Sequence, residues 1–189
     1  AAAAQTQNRA IEFALLLTLP AAAALLVIPG PVISVLFQRG AFGAADVAAT
    51  TGALAAFAVG LPAYVLIKAF TPGFFARQDT KTPVKIAVLS MAANVAFAVV
   101  LMQFLAHVGI ALATACSAWL NALLLSVILH RRGQLRFDAR LKARTLRIAL
   151  AALCMVAVLW AAERLLAPLF AGGSESRILA LALLVGAGA

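Results

Sequence analysis

Pro83-Val-Lys-Ile-Ala-Val-Leu-Ser-Met-Ala-Ala-Asn-Val-Ala-Phe-Ala-Val-Val-Leu-Met-Gln-Phe-Leu-Ala106 is followed, after His107 alone, by the equally apolar run Val108-Gly-Ile-Ala-Leu-Ala-Thr-Ala-Cys-Ser-Ala-Trp-Leu-Asn-Ala-Leu-Leu-Leu-Ser-Val-Ile-Leu-His130. Each run has the roughly 20 residues that carry a helix across a hydrocarbon core. Lys85 is the one Lys, Arg, Asp or Glu in the whole stretch. Two crossings joined at a single polar residue predict a helical hairpin in lipid. The same pattern extends outward. Apolar runs cover residues 10–28, 45–75 and 143–166, and a further one starts near Ser176. Pro29-Gly30-Pro31 stops the first, because proline lacks the amide donor and clashes with the preceding turn. Residues 32–37 then read as a short interfacial helix. The 45–75 run is longer than one crossing needs, so Pro62 and Pro72 are its expected kinks.

Composition agrees. Of 189 residues, 65% are hydrophobic and 11% charged, against roughly 25% charged in soluble domains. A soluble enzyme, a disordered tail and a coiled coil are excluded. A β-barrel is excluded too, since alanine and leucine dominate and ten-residue alternation is missing. The expected fold is all-α, a polytopic transmembrane helix bundle of about six spans with the last incomplete. Three regions are expected: a four-span block over 1–131, a basic linker over 132–147 and two further helices over 148–189. The chain opens on Ala1 and stops within an apolar segment, so we read it as a piece of a longer membrane protein.

The net charge of +9 is a topology signal rather than a nucleic-acid footprint. Eleven Lys and Arg fall at Arg9, at Arg77–Lys85 and at Arg131–Arg147, all on one side; three, Arg39, Arg164 and Arg177, fall on the other. The positive-inside rule places loops 77–85 and 131–147 in the cytoplasm, where they also attract anionic lipid headgroups.

Few residues carry chemistry. There is no Gly-rich phosphate loop and no metal-ligand spacing, so no cofactor or metal is expected. His107 and His130 sit at span ends and read as interface residues. Cys116 and Cys154, inside apolar runs, read as small buried side chains. Lys68 stands out, nine residues before Arg77 and so about 13–14 Å along a helix from the border. An ammonium at that depth faces a cavity or snorkels. Asn94 and Asn121 read as interhelical glue or a cavity wall, with Thr114 and Ser117 in either role. In the polar loop, Asp79 or Thr80 is placed to cap the helix that starts at Thr82-Pro83.

The loop Phe74-Phe-Ala-Arg-Gln-Asp-Thr-Lys-Thr-Pro-Val-Lys85 resembles the signature connection of the MurJ (MviN-like) lipid II flippases. Leu36-Phe-Gln-Arg-Gly-Ala-Phe42 resembles that family's outward turn, and Arg9-Ala-Ile-Glu-Phe-Ala-Leu-Leu-Leu-Thr-Leu-Pro20 the start of its ninth of fourteen helices. Lys68 followed by Pro72-Gly73-Phe74 fits the same pattern. The resemblance implies a two-lobed exporter fold of which this chain holds the end of the second lobe, helices nine to twelve, then two added helices. It implies an inner-membrane transporter, not an enzyme, that moves lipid II, the undecaprenyl-diphosphate-linked peptidoglycan precursor, by alternating access. Motif positions are then Arg77, Gln78, Asp79, Thr80, Lys81, Thr82 and Pro83 on the cytoplasmic side, and Arg39 and Gly40 on the other. Lys68 and Asn94 would face the substrate cavity, and Asn94 with Thr114 would serve coupling to a monovalent cation. The added helices would line a groove for the lipid tail. A related exporter of drugs or other lipid-linked sugars, and a non-transporting membrane scaffold, are the competing readings.

Overall fold

The computed structural model describes residues 2–133, 135, 139–170 and 174–188. It contains six helices: α1 Ala2–Val27, α2 Pro29–Phe37, α3 Ala44–Phe75, α4 Lys81–Arg131, α5 Ala139–Phe170 and α6 Ser174–Gly188. No strand occurs among the described residues.

Local chemistry sets the breaks. At Ile28 the backbone leaves helical geometry (φ −116°, ψ 36°), and the prolines that follow occupy the first turn of α2, where a missing amide hydrogen costs nothing. After α2, Gly40 takes φ 58° and turns the chain. The Asp46 carboxylate then accepts the Gly43 N–H at 2.9 Å and caps α3. Helix α3 ends in a Schellman arrangement: the Gln78 N–H reaches Phe75 O at 2.9 Å and the Asp79 N–H reaches Phe74 O at 3.2 Å. Gln78 holds the left-handed position at φ 60°, a place usually taken by glycine.

At 51 residues, a straight α4 would be about 76 Å long, far beyond a ~30 Å core. It is instead folded on itself at Ala106 (φ 47°, ψ −127°). Three levels show that its halves are antiparallel. Gly109 lies against the Leu101 carbonyl beside the fold. Ser90 and Asn94 share a pocket with Thr114, Ser117 and Asn121 midway. Arg132 binds Asp79 at the open end.

Helix α3 packs on both α1 and α4, and α1 packs in turn on α5, which carries α6. The α3–α4 seam is built from small residues, with Ala63 packed against Ala118 and Ala122. Small side chains let backbones approach where lipid gives no hydrophobic push. The Trp119 indole N–H, donating to Val59 O at 2.9 Å, pins that seam. The bulkiest core lies at the end that carries the basic residues, where Ile11, Phe70, Phe74, Ile86, Leu125 and Leu129 meet. Large apolar side chains outside the core stay exposed, Phe104 at 79% and Leu17 at 73%. A surface of this kind is stable against acyl chains rather than water.

Helices α1, α3 and α5 and the two halves of α4 match the expected runs. Helix α1 reaches further back than residue 10, because Gln7 packs its amide against Gly73 and Asn8 is buried. Helix α5 starts at Ala139, so Arg140, Arg144 and Arg147 are helical; Arg136 lies outside the described residues. At 15 residues, α6 measures about 22 Å, less than a crossing. Cys116 and Cys154 are exposed free thiols, not buried ones: in a lipid-facing helix an apolar residue needs no core to leave water.

Candidate functional site

Four features could carry function. The first is a polar pocket of about 250 Å³ between α3 and the hairpin, walled by Tyr64, Ser90, Asn94, Thr114, Ser117 and Asn121. Positions 87, 90, 91 and 94 are spaced as one helical face, and the antiparallel partner turns 114, 117, 118 and 121 toward it. The hydroxyls do not all stay free. Thr114 Oγ1 donates to Ile110 O at 3.0 Å, and Ser117 Oγ to Thr114 O at 2.9 Å. Tyr64 Oη and Ser90 Oγ are buried with no protein partner. An orphaned buried hydroxyl costs about 1–3 kcal/mol, so the pocket is suited to a guest that supplies the missing bonds. No carboxylate lines it. Tyr64 fits because Gly60, one turn earlier, has no side chain: a Cβ there would lie 2.9 Å from the phenol oxygen.

The structure thus brings Asn94 and Thr114 into one pocket with Ser117 and Asn121. Tyr64 and Ser90 were not anticipated. The signal available was the chain's one tyrosine, placed inside a span. Lys68, one turn beyond Tyr64, is not in the pocket wall. It is exposed on α3 and makes no hydrogen bond or ion pair.

The second feature is a clasp at the open end of the hairpin. Asp79 Oδ1 accepts the Thr82 N–H at 3.0 Å, which caps the first half of α4, and Oδ2 accepts the Thr82 hydroxyl at 2.7 Å. Arg132, just past the second half, binds Oδ2 at 2.6 Å. Its other terminal nitrogen lies 3.2 Å from Thr82 Oγ1, and its guanidinium stacks 5.6 Å over the Phe74 ring. The Arg132 hydrogen bond, helped by those from Thr82, holds the Asp79 carboxyl down at about 2. Arg77, Gln78, Thr80 and Lys81 are exposed around it, with Pro83 half-buried.

At the far end, Arg39 and Gly40 form the turn after α2, where the Arg39 guanidinium donates to Leu36 O at 2.6 Å. The two histidines mark the ends of the second half of α4. His107 Nε2 lies 2.9 Å from Ala49 O, and His130 Nδ1 3.0 Å from Leu135 O. A carbonyl only accepts, so each of those nitrogens carries the proton.

The third feature is a lateral groove of about 570 Å³ between α1, α3, α4 and α5. Leu15, Phe70, Leu123, Leu146 and Ala149 represent its wall, and the hydroxyls of Ser126 and Thr145 interrupt an otherwise apolar lining. The fourth is a half-buried ion pair between α1 and α5, where Glu12 Oε2 accepts from Arg144 at 2.8 Å. Among the described residues no group of His, Cys, Asp and Glu is arranged to hold a metal.

Residues 1–181 match the family model described as lipid II flippase MurJ. A probable lipid II flippase MurJ of Rhizobium tropici is 43% identical over 187 residues, covering 97% of this chain and 35% of that protein. The corresponding protein of Rhizobium meliloti is 49% identical over 160 residues, covering 85% of this chain and 30% of its own length. A solved structure of lipid II flippase MurJ in an inward closed conformation superposes with a TM-score of 0.80 over 98% of this chain and 37% of its own, at 22% identity. That likeness establishes the fold. The chain spans about a third of the length of the relatives it matches.

Proposed function

The chain belongs to the MurJ family of lipid II flippases, and from that premise we propose that it is the later part of a transporter that carries lipid II across the bacterial cytoplasmic membrane. It is a multi-pass membrane protein, and its basic end, with the 77–85 and 131–147 segments, faces the cytoplasm. The lateral groove carries the reading. An open apolar channel between helices suits a polyprenyl chain, and it lies beside α5, the first of the helices beyond the four-span block. The diphosphate headgroup needs positive charge instead. Lys68 contributes it from α3, with the rest of the cationic cavity in the preceding part of the full protein. Alternating access then requires both lobes, so this segment alone does not flip lipid.

The test is to fill the groove. In the full-length protein, reconstituted in vesicles with a headgroup-tagged lipid II, Ala149→Trp should abolish flipping. Leu165→Trp, at a side chain 78% exposed on α5, should leave it intact. Equal activity of the two variants would remove the groove from the transport path.

A second role belongs to the polar pocket. Its orphaned Tyr64 and Ser90 hydroxyls and the Asn94 amide support a weakly held monovalent cation that couples transport to an ion gradient. Divalent ions favour carboxylate-rich cages, and none is present. Asn94→Leu should make flipping insensitive to sodium and potassium; an unchanged ion dependence would end this reading.

A further inference from the structure

On the opposite side of the α1–α5 seam from the groove lies a separate recess of about 250 Å³, lined by Glu12, Phe13, Leu16, Arg144, Arg147 and Ile148. Glu12 is buried at 8% exposure and engages one terminal nitrogen of Arg144. The Arg144 side chain keeps 49% of its surface exposed and lines the recess. Arg147, one turn along α5, makes no hydrogen bond or ion pair. By spacing, Arg140 extends the same face. The recess therefore sets one carboxylate against two guanidiniums and is net positive. Phe13, Leu16 and Ile148 give it an apolar side, and Phe13 and Leu16 are 64% and 48% exposed.

We propose that this recess binds the phosphate of an anionic phospholipid in the leaflet at the basic end. Three features lead to that ligand. Guanidinium forks match phosphate oxygens in a bidentate geometry. Arg144 and Arg147 lie one and four residues inside the apolar segment Ala143–Leu166, which is headgroup depth. Phe13 and Leu16 offer a ledge that an acyl chain covers and a soluble anion leaves bare. Glu12 has two effects: it fixes the Arg144 rotamer, and it competes with the phosphate for its charge. The site is thereby tuned to exchange lipid rather than trap it. The proposal rests on the cytoplasmic assignment of the basic end, and the two fail separately, because reporter fusions test the leaflet while the variants below test the site.

The measurement is phosphatidylglycerol retained per protein when the full-length chain is moved into nanodiscs of graded phosphatidylglycerol and phosphatidylcholine content. Arg147→Gln should weaken apparent affinity at least about tenfold, the factor for a charge-assisted hydrogen bond worth about 1.5 kcal/mol or more. Glu12→Gln should strengthen it by a similar factor, because it frees Arg144 and keeps the side chain's shape. Arg147→Lys should fall between wild type and Arg147→Gln. Arg131→Gln, exposed at the end of α4 and outside the recess, should change affinity by no more than the roughly fivefold of a diffuse surface charge. Equal losses from Arg147→Gln and Arg131→Gln would show a diffuse surface potential and overturn the site. So would unchanged or weaker binding by Glu12→Gln. Displacement of the lipid by millimolar inorganic phosphate would assign the recess to a soluble anion and also overturn it.

Discussion

Adding one methyl group at Gly109 should cost this fold more than at any other helical glycine described above. A Cβ there would meet the main chain of the facing helix, with the Leu101 carbonyl in close contact and the Met102 nitrogen at 2.8 Å. Ordinary contact begins at 3.4 Å, so the backbone would have to retreat by at least the 0.6 Å difference. Backbone cannot rotate out of the way as a side chain can. Overpacking of this kind costs about 1–3 kcal/mol, and the backbone obstacle argues for the upper part of that range. Alanine returns about 1 kcal/mol in helix propensity, which leaves a net loss of about 1–2 kcal/mol. Gly186, on α6, has nothing within 4 Å of the same methyl. Gly186→Ala should therefore show the propensity gain alone. At Gly52 the obstacle is the Val108 side chain at 3.0 Å, which can turn aside, so Gly52→Ala should fall near zero. Unfolding free energies of the full-length variants, from denaturant titrations in one lipid–detergent mixture, give the order Gly186→Ala, Gly52→Ala, Gly109→Ala from most to least stable. A Gly109→Ala protein as stable as wild type would refute the close hairpin, and with it the shared polar pocket midway along the same two helices.

Other outcomes follow from the clasp and from α3. The Asp79 carboxyl sits at about 2 instead of 3.8, so its stabilisation is complete above about pH 4 and is lost as pH falls toward 2. The stability difference between wild type and Asp79→Asn should be flat from neutral pH down to about pH 4 and then vanish; a difference that persists at pH 2 would contradict the pairing with Arg132. Gln78→Gly should stabilise by up to about 1 kcal/mol, since φ 60° strains any residue with a Cβ; a loss measured by the same titration would show that the Gln78 side chain has its own role. Lys68→Ala should impair lipid II flipping at unchanged membrane abundance, and Lys68→Arg should keep part of it; equal flipping by wild type and Lys68→Ala would assign Lys68 to snorkelling.

The crossings were legible because a lipid solvent writes its demand as length, and runs of some 20 apolar residues admit few other structures. The fold at Ala106–His107 showed as a lone polar residue between two such runs, yet nothing about an alanine announces φ 47°. That torsion is imposed by the packing of the two halves. The clasp was half legible. Asp79 and Thr82 carry the residue types of a helix start, but choosing Arg132 from a stretch of seven basic residues needed the third dimension. Ser90 and Tyr64 stayed hidden because one hydroxyl in an apolar run ordinarily bonds back to its own helix, and burial without a partner is not encoded locally. Exposure of the two cysteines was misjudged for the converse reason: hydropathy reports distance from water, and in a membrane that is not distance from the surface.

The Glu12–Arg144 pair joins residues 132 positions apart, and this separation has a consequence in time. During synthesis at roughly 5–20 residues per second, the carboxylate emerges about 7–26 s before its guanidinium. Helix α1 must insert on its own hydropathy while carrying an unmatched acidic group, whereas α3 and the hairpin find one another through nearer neighbours. The α1–α5 seam thus closes late, after α1, α3 and the hairpin have met and before α6 docks on α5. A chain that ends before α5 leaves Glu12 without the Arg144 guanidinium.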